Sequence, residues 1–148
     1  MSKSFTRRDA LIGLAGATAI LASPAVLRAQ GSSLKMGTFF PLTGPASLFG
    51  PTQTACTALA VDQMNSAGGI LGRQVEVVAG AGGLSPAEAA QAAIRMTMQD
   101  KVEFIVGSHN SAVRQSIIAA IRGKVPYIYT PLYEGGECAA NTYVTADT

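Results

Sequence analysis

The stretch KMGTFFPLTGPASLFGPTQTACTALAVDQMNSAGGILGR, residues 35–73, decides the fold of this 148-residue chain. A short apolar run enters a loop of proline, threonine, glycine and serine, and a helix-like pattern follows from Pro51 to about Ala67. Gly68 and Gly69 then end the helix, because glycine tolerates the left-handed backbone found at helix C-termini. The stretch therefore predicts a strand, a loop, a helix and a turn, in that order.

The rest of the chain repeats this alternation. Ser85, Pro86 and Glu88 combine an N-cap, a proline at the first helical position and a capping glutamate, so they start a second helix. A third helix runs from Ser111 to about Arg122. The strand candidates are LKMGTFF (34–40), QVEVVA (74–79), VEFIVG (102–107), VPYIYT (125–130) and NTYVT (141–145). Strands that alternate with helices predict an α/β fold with a parallel sheet and helices on both faces.

Helical spacing predicts one buried face on each helix. The faces are Cys56, Leu59, Ala60 and Met64 on the first helix, Ala89, Ala93 and Met96 on the second, and Val113, Ile117 and Ile121 on the third. Ligands of such sheets bind outside the carboxyl ends of the strands. The loops after the first, third and fourth strands are therefore the candidate ligand-facing segments.

The first 29 residues are predicted to be a cleaved signal peptide. Arg7 and Arg8 lie in TRRDALI, which is similar to a twin-arginine export motif, and an apolar stretch follows from Ala10 to Ala22. An ordinary secretory signal is the alternative. We expect cleavage near Ala29 and a periplasmic location. The stretch is shorter than the roughly 20 apolar residues of a spanning helix, so we expect no stable membrane insertion after cleavage.

Charge argues against a nucleic-acid partner. The chain has 11 basic and 9 acidic residues, but four of the basic residues and one of the acidic residues lie in the predicted signal. The remainder, residues 30–148, carries a net charge of about −1 and has no basic patch interleaved with aromatic residues.

Three segments carry a resemblance to a known family: PLTGP (41–45), LAVDQMN (59–65) and AGGILGR (67–73). Their wording resembles the opening of the type I periplasmic solute-binding proteins, the branched-chain amino acid-binding (Leu/Ile/Val-binding-like) family. The resemblance implies a two-lobed fold joined by a hinge, of which residues 30–148 would be an incomplete, truncated N-terminal ligand-binding lobe. YEG (133–135) is similar to the branch that contains urea-binding transport proteins and a sensor of short-chain amides.

Six residues are candidates for the binding site. His109, Asn110 and Ser111 lie between a strand end and a helix start, where they could bind a ligand oxygen or simply cap the helix. The resemblance implies that Ser111 holds a carboxylate or amide group and that Tyr133 lines the pocket, although Tyr133 could pack under its loop. It also implies that an aromatic residue near Phe49 covers the ligand, although Phe49 could belong to the core.

Glu134 is the sixth candidate, either facing the pocket or solvated. Where the family has acidic residues after the second strand, this chain has GAGG (80–83), which we expect to form a loop. Any role that those acidic residues have in the family is therefore absent or altered in this chain.

The cysteines and the single histidine limit other chemistry. Cys56 and Cys138 could form a disulfide, but a free, buried Cys56 is the favoured prediction. His109 is the only histidine and has no cluster of ligands around it, so we expect no metal and no cofactor.

The resemblance implies a periplasmic substrate-binding component of an ABC importer. Its ligand would be a small polar solute such as a branched-chain amino acid, urea or a short-chain amide, and its partners would be permease and ATPase subunits. The alternative is a ligand-sensing regulator of the amidase type. An enzyme is not expected, because GSHNS (107–111) lacks a nucleophile elbow and no nucleophile–base–orienter set is visible.

Overall fold

The computed structural model describes residues 32–81 and 85–146. The predicted signal peptide, with Arg7, Arg8 and the cleavage position near Ala29, lies outside the described residues. None of the helices in the described part combines the length and the apolarity that a membrane crossing requires.

Five parallel strands form one sheet: β1 (Leu34–Phe40), β2 (Val75–Ala81), β3 (Phe104–Gly107), β4 (Tyr127–Tyr129) and β5 (Thr142–Val144). Their order across the sheet is β2-β1-β3-β4-β5. All five coincide with predicted strands, and β1 has the predicted bounds. The prediction of a loop at 80–83 is wrong for Gly80 and Ala81, because both extend β2 alongside Phe39 and Phe40.

Three α-helices connect the strands. They are α1 (Gly50–Ser66), α2 (Pro86–Arg95), which continues as a π-helical turn (Met96–Asp100), and α3 (Ser111–Ile121). The predicted capping box of α2 is present: the Ser85 N–H donates to Glu88 Oε2 at 2.9 Å, and the Glu88 N–H donates to Ser85 Oγ at 3.4 Å. Its two reciprocal bonds satisfy backbone donors that the helix itself leaves unpaired.

The helices cover both faces of the sheet, as predicted. On one face Phe39 and Ile105 pack against α2 and α3, and the predicted stripes of both helices are buried: Ala89, Ala93, Met96, Val113, Ile117 and Ile121. On the other face Thr38 and Phe40 lie beside Thr54 and Thr57 of α1. This alternation along β1 follows from the two-residue period of a strand.

The predicted buried face of α1 is wrong in part. Cys56, Leu59 and Ala60 are exposed, Leu59 to 59%, and only Met64 of the predicted face is half-buried. The half-buried stripe also contains Gln53 and Val61. Small and apolar residues of α1 occur on every side of the helix, so their spacing does not determine which face is buried. The two ends of the helix determine it, through Gly50 and Asn65.

At the C-terminal end of α1, the Asn65 carboxamide binds the backbone of β2. Asn65 Nδ2 donates to the Val75 carbonyl at 3.0 Å, and the Val75 N–H donates to Asn65 Oδ1 at 2.7 Å. At the other end, a Cβ on Gly50 would lie 2.3 Å from the Pro41 carbonyl oxygen, so only glycine permits this approach. Cys56 therefore points away from the sheet, and both Cys56 and Cys138 are free and exposed.

The AGGILGR turn has a structural role at the amino edge of the sheet. Arg73 donates to the backbone oxygens of Ser32 and Ser33, each at 2.8 Å, and forms an ion pair with Glu103. These contacts connect the turn before β2 to the segments that enter β1 and β3.

Candidate functional site

The topology of the sheet places one crevice at its carboxyl edge. The chain leaves β1 towards β2 on one side and leaves β3 towards β4 on the other, so the connections diverge between β1 and β3. Open α/β sheets bind ligands at this switch point.

A cavity of about 340 Å³ opens at that point. We call it the switch-point crevice, and its lining residues are Pro41, Ala46, Phe49, Gln53, His109, Pro131 and Leu132. They come from the loops after β1, β3 and β4 and from the first turn of α1. The volume lies within the range typical of small-molecule sites. No charged side chain occurs among these described lining residues, provided that His109 is neutral.

The loop after β1 positions Phe49 and Gln53. The Phe49 N–H donates to the Ala46 carbonyl at 3.1 Å, and the Gln53 N–H donates to the Phe49 carbonyl at 3.0 Å. Because Gly50 packs directly on Pro41, α1 begins immediately beside the end of β1. Phe49 is 62% exposed, so it forms a wall of the crevice and is not a core residue.

The end of β3 positions His109. Gly107 has a φ of 105°, and Ser108, which is fully buried, has a φ of 91°. The Ser108 N–H donates to the Phe39 carbonyl at 2.6 Å, which holds this sharp exit against β1. Such strained non-glycine conformations concentrate at functional sites. Burial lowers the pKa of His109 below its ordinary value, so its imidazole is neutral near pH 7.

Gln53 lines the crevice and carries a buried, unpaired polar atom. Its side-chain oxygen Oε1 is buried and has no hydrogen-bond partner among residues 32–81 and 85–146. Buried polar atoms of native proteins nearly always have a partner, so this oxygen and the Ser108 Oγ atom, which is also buried and unpaired, are exceptions among the described residues.

A second group of side chains lies beside the crevice, between α3 and the loop after β4. We call it the Arg114 cluster, and its members are Ser111, Arg114, Tyr129, Tyr133, Glu134 and Glu137. Arg114 is its centre, with a side chain only 4% exposed. Arg114 Nε donates to Glu137 Oε2 at 3.0 Å, and Nη1 donates to Ser111 Oγ at 2.9 Å.

The guanidinium of Arg114 lies between two tyrosine rings. Its Cζ is 4.8 Å from the ring centre of Tyr129 and 5.0 Å from that of Tyr133. The two rings meet edge to face, with centroids 6.4 Å apart and planes at 74°. Both distances are within the range in which a cation is attracted to an aromatic face.

Two carboxylates complete the cluster. Burial raises the pKa of Glu137, but the Ala139 N–H and Arg114 outweigh that effect, so the pKa of Glu137 lies below its ordinary value. The hydrogen bond from Ser111 lowers the pKa of the exposed Glu134 carboxyl, and Arg114 acts in the same direction. Every charged group of the cluster thus has a partner within the chain.

Five of the six predicted site residues separate into these two regions, and the sixth, Asn110, belongs to neither. Phe49 and His109 meet in the switch-point crevice, whereas Ser111, Tyr133 and Glu134 belong to the Arg114 cluster. Asn110 caps α3, and its Oδ1 accepts the Val113 N–H at 2.9 Å. Their ligand-binding roles remain predictions.

Sequence reasoning missed Arg114 and Gln53. Arg114 directly follows Val113 on the buried side of α3, and two glutamates, Glu134 and Glu137, lie three residues apart in a later loop. A lone cation in an apolar stripe is a usable signal for a buried ion pair. Gln53 offers no such signal, because an unpaired atom is a property of the folded chain alone. Within the described ranges, no group of three or more histidine, cysteine, aspartate or glutamate side chains could hold a metal ion.

The family described as periplasmic binding protein matches residues 33–148, and the chain belongs to that family. The leucine-, isoleucine-, valine-, threonine-, and alanine-binding protein of Pseudomonas aeruginosa is 29% identical over 111 residues, 75% of this chain and 30% of that protein. Leu/Ile/Val-binding protein homolog 7 of Brucella abortus is 32% identical over 98 residues, 65% of this chain and 24% of that protein.

A solved structure shows the same fold. The branched-chain amino acid transporter substrate-binding protein LivJ of Streptococcus pneumoniae, in complex with isoleucine, is 33% identical with a TM-score of 0.61. The match covers 66% of this chain and 28% of LivJ. The chain thus spans less than a third of the length of these relatives.

Proposed function

We propose that this chain is part of the periplasmic substrate-binding component of an ABC importer. The switch-point crevice would receive a small polar solute, of the class of branched-chain amino acids, urea or short-chain amides. Permease and ATPase subunits would be the partners. Family membership and the names of the relatives support this proposal.

One observation carries the assignment of the site. The crevice joins apolar walls, Phe49 and Leu132, to the polar lining residues Gln53 and His109, at the point of the sheet where ligands bind. Ligand pockets combine these two features, an apolar lining and a few polar groups. Phe49 and His109 would contact the solute directly. Direct contact by Ser111 or Glu134 would require an exchange of their present partners.

The binding expected of the chain alone is weak. Phe49 and Leu132 are largely exposed, so a solute in the crevice keeps one side in water. A closed cleft buries most of a ligand, and a one-sided contact loses much of that burial energy. We therefore expect dissociation constants in the range of about 1–100 mM, which corresponds to only a few kcal/mol of binding free energy.

Saturation-transfer NMR on the methyl signals of L-isoleucine and acetamide tests this proposal. We expect transfer from the chain to at least one of these solutes. Phe49→Ala should reduce it, whereas Leu71→Ala, which removes a 97% exposed side chain outside the crevice, should not. Absence of transfer to both solutes, or equal transfer in Phe49→Ala, would contradict the proposal.

A further inference from the structure

His109 is the one ionisable side chain among the described residues that line the switch-point crevice. The residue is half-buried, and neither of its ring nitrogens has a hydrogen-bond partner within residues 32–81 and 85–146. Neither nitrogen is fully buried, in contrast to the unpaired Oε1 atom of Gln53. The imidazole therefore keeps hydrogen-bonding atoms that a solute can reach.

Hydrogen bonds fix the chain on both sides of His109. On one side, the N–H of the fully buried Ser108 donates to the Phe39 carbonyl at 2.6 Å. On the other side, the Asn110 side chain caps α3 by accepting the Val113 N–H. The loop after β3 therefore holds the backbone of His109 at the crevice before a solute arrives, which limits the cost of ordering it on binding.

Among the described residues, no carboxylate balances a charge on His109. The loops after β1 and β4 and the first turn of α1 contribute only uncharged lining residues: Pro41, Ala46, Phe49, Gln53, Pro131 and Leu132. Burial alone lowers the pKa of His109, without a contribution from a neighbouring charge. In the adjacent cluster, Arg114, Glu134 and Glu137 pair with one another or with Ser111. A proton on the ring thus places an unbalanced positive charge in the crevice.

We propose that His109 is a specificity-determining residue of the crevice, which binds an oxygen atom of the solute and, once protonated, favours a carboxylate over an uncharged amide. This inference rests on the proposed function and deepens it. Neutral imidazole offers one N–H donor and one lone pair, which suit an amide and a carboxylate alike. Imidazolium offers two donors and a positive charge, and this charge attracts the carboxylate more strongly than the amide.

Acetate and acetamide are suitable probes, because they have nearly the same shape and acetate stays largely ionised between about pH 8 and about pH 5.5. The affinity of the full chain for each probe is measured by saturation transfer to the probe methyl group. Lowering the pH over this range protonates His109. The change should strengthen acetate binding about three-fold or more and alter acetamide binding by less than about 1.5-fold.

The ring signals of His109 provide a second measurement. His109 is the only histidine of the chain, so its titration followed by ¹H NMR is unambiguous. Because linkage is reciprocal, saturating acetate should raise the pKa of His109, whereas acetamide should leave this pKa nearly unchanged. A purely structural role of His109 would produce no difference between the two probes.

Two variants locate the source of the pH dependence. His109→Gln keeps a hydrogen-bonding side chain and removes the titration, so acetate binding should lose its dependence on pH. Glu134→Gln is the control, because it removes the exposed carboxylate of the adjacent cluster and should leave the pH dependence in place. Thermal unfolding checks that both variants are folded. If His109→Gln does not fold, the titration of His109 in the wild-type chain decides the result.

Two outcomes would overturn the inference alone, because the crevice would still bind solutes. They are acetate affinity that does not change with pH in the wild-type chain, and a pH dependence that survives in folded His109→Gln. Failure of the wild-type chain to bind acetate, acetamide and L-isoleucine at every pH in this range would overturn the inference and the proposed function together.

Discussion

The switch-point crevice and the Arg114 cluster lie side by side at the carboxyl edge of the sheet, and they treat their polar atoms in opposite ways. In the cluster, Arg114 and Glu137 are almost fully buried and every charge has a partner. In the crevice, the walls are apolar and exposed, and the buried oxygen of Gln53 has no partner among the described residues. The paired charges of the cluster suit a fixed contact within the chain, and the exposed walls of the crevice suit a contact with a ligand.

This difference changes the role that the structure suggests for three of the predicted site residues. Ser111, Tyr133 and Glu134 have the side chains expected of a binding site, yet each contacts Arg114 or a residue bound to it. They hold the loop after β4 against α3, and Pro131 and Leu132 of that loop form a wall of the crevice. The partners of a polar side chain are therefore needed, besides its chemical type, to judge whether it is available to a ligand.

The strongest expected effect is that of Arg114→Ala on stability. The substitution leaves Glu137 buried without its cationic partner, and breaking a buried ion pair costs about 3–5 kcal/mol. Urea unfolding measures the loss. Arg95→Ala, an exposed arginine on α2, is the matched control and should cost less than about 0.5 kcal/mol. A loss below about 1 kcal/mol for Arg114→Ala would show that the cluster is not a structural anchor.

The next effect is a pH dependence that belongs to Glu137. Its pKa is lower in the folded chain than in the unfolded chain, so its stabilisation is complete above the unfolded value of about 4.3 and is lost as the pH falls through the folded value. Glu137→Gln should cost about 2 kcal/mol at pH 7, and the gap to wild type should narrow below about pH 4. Urea unfolding across this pH range measures the gap; a gap that is the same at every pH would contradict the role of the carboxylate.

The neighbours Leu132 and Tyr133 provide a sharper comparison, because adjacent residues belong to different regions. Tyr133→Ala removes a ring from Arg114 and should cost about 2 kcal/mol of stability. Leu132→Ala removes an exposed wall and should cost less than about 0.5 kcal/mol while weakening acetamide binding. Thermal unfolding and saturation transfer together check both. Similar stability losses in the two variants would contradict the assignment of Leu132 to the crevice and of Tyr133 to the Arg114 cluster.

The smallest expected effect is that of Ser111→Ala. Its hydroxyl bonds to Glu134 and Arg114, so we expect a stability loss of about 1 kcal/mol and less than a three-fold change in acetamide affinity. The same two measurements decide the result. A larger loss of affinity at unchanged stability would instead support the direct ligand role that the family resemblance implies.

Local sequence signals predicted most of the fold. The capping box of Ser85 and Glu88, the apolar run of β1 and the stripe of α3 each contain enough information within a short segment. The rotation of α1 was not predictable in this way, because Gly50 and Asn65 set it through contacts with Pro41 and Val75. Cys56 was consequently assigned to the wrong side of the helix.

The topology of the sheet predicted which loops form the site, but not the partners of their side chains. The rule that ligands bind at carboxyl ends of strands selected the loops of Phe49 and His109, and the structure brings these two residues together. The same rule could not separate them from Ser111 and Tyr133, whose partners become visible only in three dimensions. Gln53 was missed for the same reason.

Mapping the binding of acetamide on the backbone and side-chain ¹H–¹⁵N signals of the chain tests the separation of the two regions most directly. We predict that the largest shifts occur at Phe49, at His109 and at the carboxamide of Gln53. The Nε–H of Arg114 and the backbone N–H of Ala139, both bonded to Glu137, should not move. Largest shifts at Arg114 and Ala139, with Gln53 unchanged, would contradict the account.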